Sequence, residues 1–218
     1  LNVSHQIDDN PELSSQEMFA SNLLCETLEG FGFTVERGFA GLPTAFCARK
    51  GPPARPRVAF LAEYDALPGI GHACGHNVIA TSALGAGIGL GSLGDALPGE
   101  VWVVGTPAEE TDGAKCAMAS GGYFNDLDAA LMVHPHDGNY TTTVSLALTA
   151  LQVSFFGKTS HAAAAPWEGV NALDALLLTF ANINAMRLEV TPDVRMHGII
   201  TKGGEAPNII PDFSQGRF

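Results

Sequence analysis

The sequence predicts an α/β fold: a mainly parallel sheet with its helices comes first and a smaller α+β part follows. Three observations carry this. Continuous apolar runs at residues 58–61, 101–104 and 129–133 lack the alternation of a half-exposed sheet and read as buried strands. Helical stretches at 77–93 and 114–123 separate them, as the crossovers of a parallel sheet require. From Thr141 the pattern becomes strand, helix, strand and the start of another strand, part of a split βαβ sandwich. The boundary is expected near Thr143, giving domains 1–143 and 144–218.

Taken in order, the first element is a helix with Ser14 or Ser15 as its cap and Glu17 early, where the helix dipole favours a carboxylate. Met18, Phe19, Leu23, Leu24 and Leu28 make its apolar stripe, and Gly30 and Gly32 end it. In the helix after the first strand, the small residues Ala83, Gly85, Ala86, Gly87 and Gly89 suit close packing. Gly89-Leu90-Gly91-Ser92-Leu93-Gly94 spells a dinucleotide fingerprint, but it closes a helix instead of opening one after a strand, so it is rejected. In the second part a strand at 148–156 precedes a helix at 171–188. Asn171 caps that helix, and Leu173, Leu176, Leu177, Phe180, Ile183 and Met186 recur at helical spacing. A strand at 194–201 then turns at Gly203-Gly204 toward Asn208-Ile209-Ile210-Pro211.

Composition bounds the function. With 46% hydrophobic and 16% charged residues, the 218-residue chain can bury a core and is not intrinsically disordered. Eleven Lys+Arg against 23 Asp+Glu leave a net charge of −12, which repels phosphate backbones and argues against a nucleic-acid partner. Four scattered cysteines form no disulfide framework and point to a reducing, cytoplasmic setting. The long stretch at 66–94 free of Asp, Glu, Lys and Arg is too rich in Gly, His and Pro for a membrane span. No basic-then-apolar leader opens the chain, and its first residue is Leu1, so both ends are expected to be cut.

Chemistry concentrates after the three strands. Glu63-Tyr64-Asp65-Ala66-Leu67-Pro68-Gly69-Ile70-Gly71-His72-Ala73-Cys74-Gly75-His76-Asn77 would emerge at the carboxyl edge of the sheet, where α/β folds place their sites. Cys74 and His76, two apart, can face one ion, and thiolate with imidazole suits zinc or a similar cation. A buried thiol beside a hydrogen-bonded histidine would look the same. After the second strand, Glu109-Glu110 would face opposite ways in extended chain, one to bind metal and one to move a proton. After the third, Pro135 holds His134 extended and fixes where its ring projects. Parallel strands would bring all three stretches to one edge.

These motifs resemble the dinuclear metal-dependent amidohydrolases, a family of aminoacylases, carnosinases, glutamate carboxypeptidases and auxin-conjugate hydrolases. Asp65-Ala-Leu-Pro-Gly…His72-Ala-Cys-Gly-His76, Thr106-Pro-Ala-Glu-Glu110 and Met132-Val-His-Pro135 carry the likeness. The wording around Tyr64–Asn77, and Pro166-Trp167-Glu168-Gly169-Val170-Asn171, is most similar to the branch of β-alanyl-lysine dipeptidases and p-aminobenzoyl-glutamate hydrolases. The resemblance implies a zinc-exopeptidase-like catalytic domain and a smaller ferredoxin-like dimerisation domain. It implies Cys74, His76, Glu110 and His134 as ligands of two divalent metal ions, zinc or manganese. It makes Glu109 the general base that deprotonates the attacking water and Asp65 a carboxylate that buttresses the ligands. His161, in Lys158-Thr159-Ser160-His161, matches a histidine that reaches the partner subunit's active site, and Asn208 matches a substrate contact. The expected reaction is hydrolysis of dipeptides or N-acyl amino acids by a homodimer.

Three departures qualify this expectation. Glu63-Tyr64-Asp65 stands where many relatives have His-x-Asp, leaving Cys74 and His76 to substitute for that histidine. Asn77 stands where close relatives often have Asp. The family's last ligand histidine would lie beyond Phe218, and His197, mid-strand in the smaller domain, cannot replace it. Two alternatives follow: a truncated homologue that binds metal and dimerises without activity, and a cysteine hydrolase using Cys74.

Overall fold

A computed structural model describes residues 1–111, 113–141 and 146–218, which divide into two units, Leu1–Asn139 and Tyr140–Phe218. Thr143, near which the boundary was expected, and Asp112 lie outside the described residues.

The first unit runs α1 (Asn2–Asp9), α2 (Met18–Gly30), β1 (Thr34–Arg37), β2 (Phe46–Lys50), β3 (Arg57–Ala62), α3 (His76–Gly91), β4 (Glu100–Gly105), α4 (Ala114–Ser120) and β5 (Ala129–Leu131). Its sheet has the order β1-β2-β4-β3-β5. β3 pairs in parallel with β4 and β5, while β2 runs antiparallel to both β4 and β1. Four strands therefore share one direction, so the segments after β3, β4 and β5 leave by the same edge. Side chains alternate across β4. Val101 and Val103 join Ile7, Leu24, Leu28 and Leu84 on one face, and Trp102 and Val104 join Phe39, Cys47 and Met118 on the other. Helices cover both faces.

Several elements differ from expectation for local reasons. β5 is not buried: its three residues are exposed at the sheet edge. Helix α2 is not capped by Ser14 or Ser15. Glu17 occupies the cap position, and the Glu12 carboxylate accepts the first-turn amides of Phe19 and Ala20. Its buried stripe is Ala20, Ser21, Leu24, Cys25 and Leu28, with Met18 and Phe19 exposed, a shift of the apolar face by about half a turn.

The second unit contains β6 (Gln152–Phe156), α5 (Ala172–Met186), β7 (Ile199–Lys202) and β8 (Phe213–Arg217). β8 lies between β6 and β7, antiparallel to both. The Asn171 side chain caps α5 by accepting the Leu173 N–H at 3.0 Å, and the helix buries Leu176. β7 is shorter than the strand expected at 194–201, and His197 lies before it. Among the described residues no helix is long and apolar enough to cross a membrane.

Candidate metal centre

β3 ends at Ala62 and delivers Glu63, Tyr64 and Asp65 to the carboxyl edge. Tyr64 turns into the core, where its hydroxyl donates to the Thr44 carbonyl at 2.6 Å. Its neighbours project the other way, toward His76, as extended chain requires. Asp65 accepts three hydrogen bonds: from the Ser14 hydroxyl at 2.8 Å, the Glu110 N–H at 3.0 Å and His76 Nδ1 at 2.9 Å. Burial pushes its carboxyl up, but those bonds outweigh burial and hold it at about 2. Gly75, at φ 77°, sets His76 at the start of α3; a side chain there would meet the Pro135 ring at 2.8 Å. Glycine thus lets the loop after β5 close onto the Cys74–His76 turn.

With Nδ1–H donated to Asp65, His76 Nε2 carries the ring's lone pair. Acids surround it: Glu63 Oε2 at 3.5 Å, Glu109 Oε2 at 3.8 Å and Glu110 Oε1 at 3.8 Å. The donor atoms of Cys74, His76 and Glu110 lie within 4.8 Å of one another, and so do those of Glu63, His76 and His134. The His134 ring stands 6.0 Å from that of His76, and its Nδ1 meets the Pro135 carbonyl at 2.7 Å, which turns Nε2 outward. His76 Nε2 and Glu63 Oε2 are buried and have no hydrogen-bond partner among the described residues. Buried lone pairs facing each other call for positive charge between them, so thiol, imidazole and carboxylates here fit a divalent cation.

The structure thus brings Asp65, Cys74, His76, Glu109, Glu110 and His134 together. Glu109 and Glu110 do not face opposite ways: Ala108 at φ 56° and the following turn bring both carboxylates to the same imidazole nitrogen. A hydrogen bond with Glu110, helped by burial, raises the Cys74 thiol to about 11, the reverse of what a cysteine nucleophile needs. Asn77 instead donates to the Ser4 hydroxyl at 3.2 Å, tying α1 to α3. Sequence reasoning missed Glu63, which the family pattern replaces by histidine, and Lys115, whose ammonium bonds Glu63. No motif marks Lys115.

In the second unit His161 bridges Ile209, and the Ala162 N–H donates to the Asn208 carbonyl at 3.0 Å, so the two expected substrate contacts are neighbours. His161 Nδ1 accepts the Ala163 and Ala164 N–H groups at 3.2 Å, which leaves Nε2–H as a donor.

Fold and donor set together define an α/β domain with a candidate metal centre at the carboxyl edge of its sheet. The model of peptidase family M20/M25/M40 matches residues 59–203, and the chain belongs to that family. It is 44% identical to the Xaa-Arg dipeptidase of Mus musculus over 98% of its length and 52% of that protein's. With a p-aminobenzoyl-glutamate hydrolase of Escherichia coli it shares 35% identity, covering 95% of this chain and 47% of the relative. The chain spans about half the length of these curated relatives. Its fold is similar to that of the Bacillus subtilis YXEP protein, described as a dinuclear metal binding peptidase from M20 family. The TM-score is 0.62 at 22% identity, over 99% of this chain and 61% of that one.

Proposed function

We propose that the chain carries the metal-binding part of a hydrolase that cleaves the amide bond of dipeptides or N-acyl amino acids. The observation that carries this is the buried His76 Nε2, oriented by Asp65 and ringed by Glu63, Glu109 and Glu110. Cys74, His76, Glu110 and His134 would hold two divalent cations, zinc or manganese. When bound, these supply the positive charge that activates water and stabilises the negative charge developing on the carbonyl oxygen. Glu109, the more exposed of the two glutamates, takes the proton from the attacking water and passes it to the leaving nitrogen. Asp65 keeps His76 in the tautomer that presents Nε2.

His161 Nε2–H is placed to donate to the oxyanion in the partner subunit's site, and Asn208 to contact substrate, in a homodimer made through the second unit. The relatives' names, Xaa-Arg dipeptidase and p-aminobenzoyl-glutamate hydrolase, support an amide of small size as substrate. Four free thiols fit a cytoplasmic setting.

The test is amide hydrolysis by the complete gene product. EDTA should abolish turnover, and Zn²⁺ or Mn²⁺ should restore it; turnover indifferent to chelation sinks the proposal. Glu109→Gln should lower kcat by about 10²–10⁴-fold while metal content is retained. Loss of metal in that variant would exchange the roles of Glu109 and Glu110.

A further inference from the structure

Glu63 has no part in the ligand set the family likeness implies, yet its side chain is only 2% exposed and sits against His76. One carboxylate oxygen, Oε1, is bonded to the Lys115 ammonium. The other, Oε2, faces His76 Nε2 at 3.5 Å, and neither of these two atoms has a hydrogen-bond partner among the described residues. Asp65 takes the proton of Nδ1, so lone pair faces lone pair in a buried space, an arrangement that holds only with positive charge supplied to both. His134 places its donor within 4.8 Å of the same two atoms. An imidazole nitrogen has one lone pair and serves one ion. A cation taken by Cys74, His76 and Glu110 therefore leaves His134 and Glu63 facing the space for another.

We propose that Glu63 is a ligand of the second divalent cation, beside His134, and that Lys115 is the positioning residue that turns Oε2 into the site. This rests on the two-ion reading above. Lys115 lies in the first turn of α4, directly after Gly113. By holding Oε1 it fixes the carboxylate's rotation and offsets part of the charge that Glu63, Asp65, Glu109 and Glu110 gather around one imidazole.

The experiment is a Co²⁺ titration of the complete gene product, followed by absorption and calorimetry, with folding checked by circular dichroism. The unaltered protein should bind two equivalents, the first developing the thiolate charge-transfer band of Cys74. In Glu63→Gln that band and the first equivalent should persist while the second weakens at least about tenfold. Lys115→Met should weaken the second equivalent by about 10–100-fold, and Lys115→Arg should restore it. An unchanged second equivalent in Glu63→Gln overturns the ligand assignment, as does loss of the thiolate band, which would put Glu63 on the first ion. Tighter binding in Lys115→Met would make the lysine a competitor of the cation and overturn its positioning role. If Glu63→Gln does not fold, the Lys115 pair decides. An unaltered protein that takes up no Co²⁺ would instead refute the two-ion reading itself.

Discussion

Asp65 ties three stretches of chain to one carboxylate: Ser14 before α2, Glu110 after β4 and His76 at the head of α3. Asp65→Asn keeps an oxygen for His76 Nδ1–H but turns an NH₂ toward the Glu110 N–H, donor against donor, and removes the charge that makes His76 a stronger ligand. Zn²⁺ affinity measured by calorimetry should fall about 10–100-fold, and an unchanged affinity would show that Asp65 does not orient His76. Because the folded carboxyl is held at about 2, against 3.8 for an unperturbed one, its contribution to stability is complete above about pH 4. It is lost only as pH falls through about 2. At this scale much of the site was legible, since Cys74, His76 and His134 lie directly beyond apolar runs. The convergence of Glu109 with Glu110 was not, because it depends on the left-handed backbone of Ala108. Nor was Lys115, whose part in the site is purely spatial.

At the scale of elements, α3 shows packing overriding propensity. A methyl on Gly87 would lie 2.2 Å from Val103 Cγ2, so the helix rests on β4 there, whereas Gly85 and Gly89 face open space. Alanine in a helix gains up to about 1 kcal/mol over glycine, but overpacking costs about 1–3 kcal/mol. Gly87→Ala should therefore lower the urea midpoint, while Gly85→Ala and Gly89→Ala raise it by about 0.5–1 kcal/mol of stability with unchanged m. A stabilising Gly87→Ala would mean that α3 can lift from the sheet at little cost. The sequence grouped these glycines together because spacing along a helix shows which positions share a face, not which face meets a strand. The same gap explains other misses. β1 and β2 carry Glu36, Arg37, Arg49 and Lys50 and so present no continuous apolar run. The first-turn amides of α2 find their acceptor in Glu12, outside the usual cap position. Helices α3 and α5, whose signals are local, stand close to where periodicity puts them.

On the scale of the whole molecule, every candidate ligand among the described residues comes from Leu1–Asn139, and none from Tyr140–Phe218. Metal bound to the folded form alone stabilises it by RT ln(1 + [L]/Kd), about 2.7 kcal/mol per site at a hundredfold excess over Kd. In the first unit that stabilisation adds to a core already packed on both faces of the sheet, and it relieves the repulsion among Glu63, Glu109 and Glu110 around His76. The second unit gains nothing directly. Scanning calorimetry with Zn²⁺ should therefore raise one transition by on the order of 10 °C relative to EDTA and leave a second in place. A single transition moving as one would mean that the two units unfold cooperatively, and metal occupancy would then be felt at His161 and Asn208 as well. Two transitions, neither responding to Zn²⁺, would remove the metal centre from the account of this chain's stability altogether.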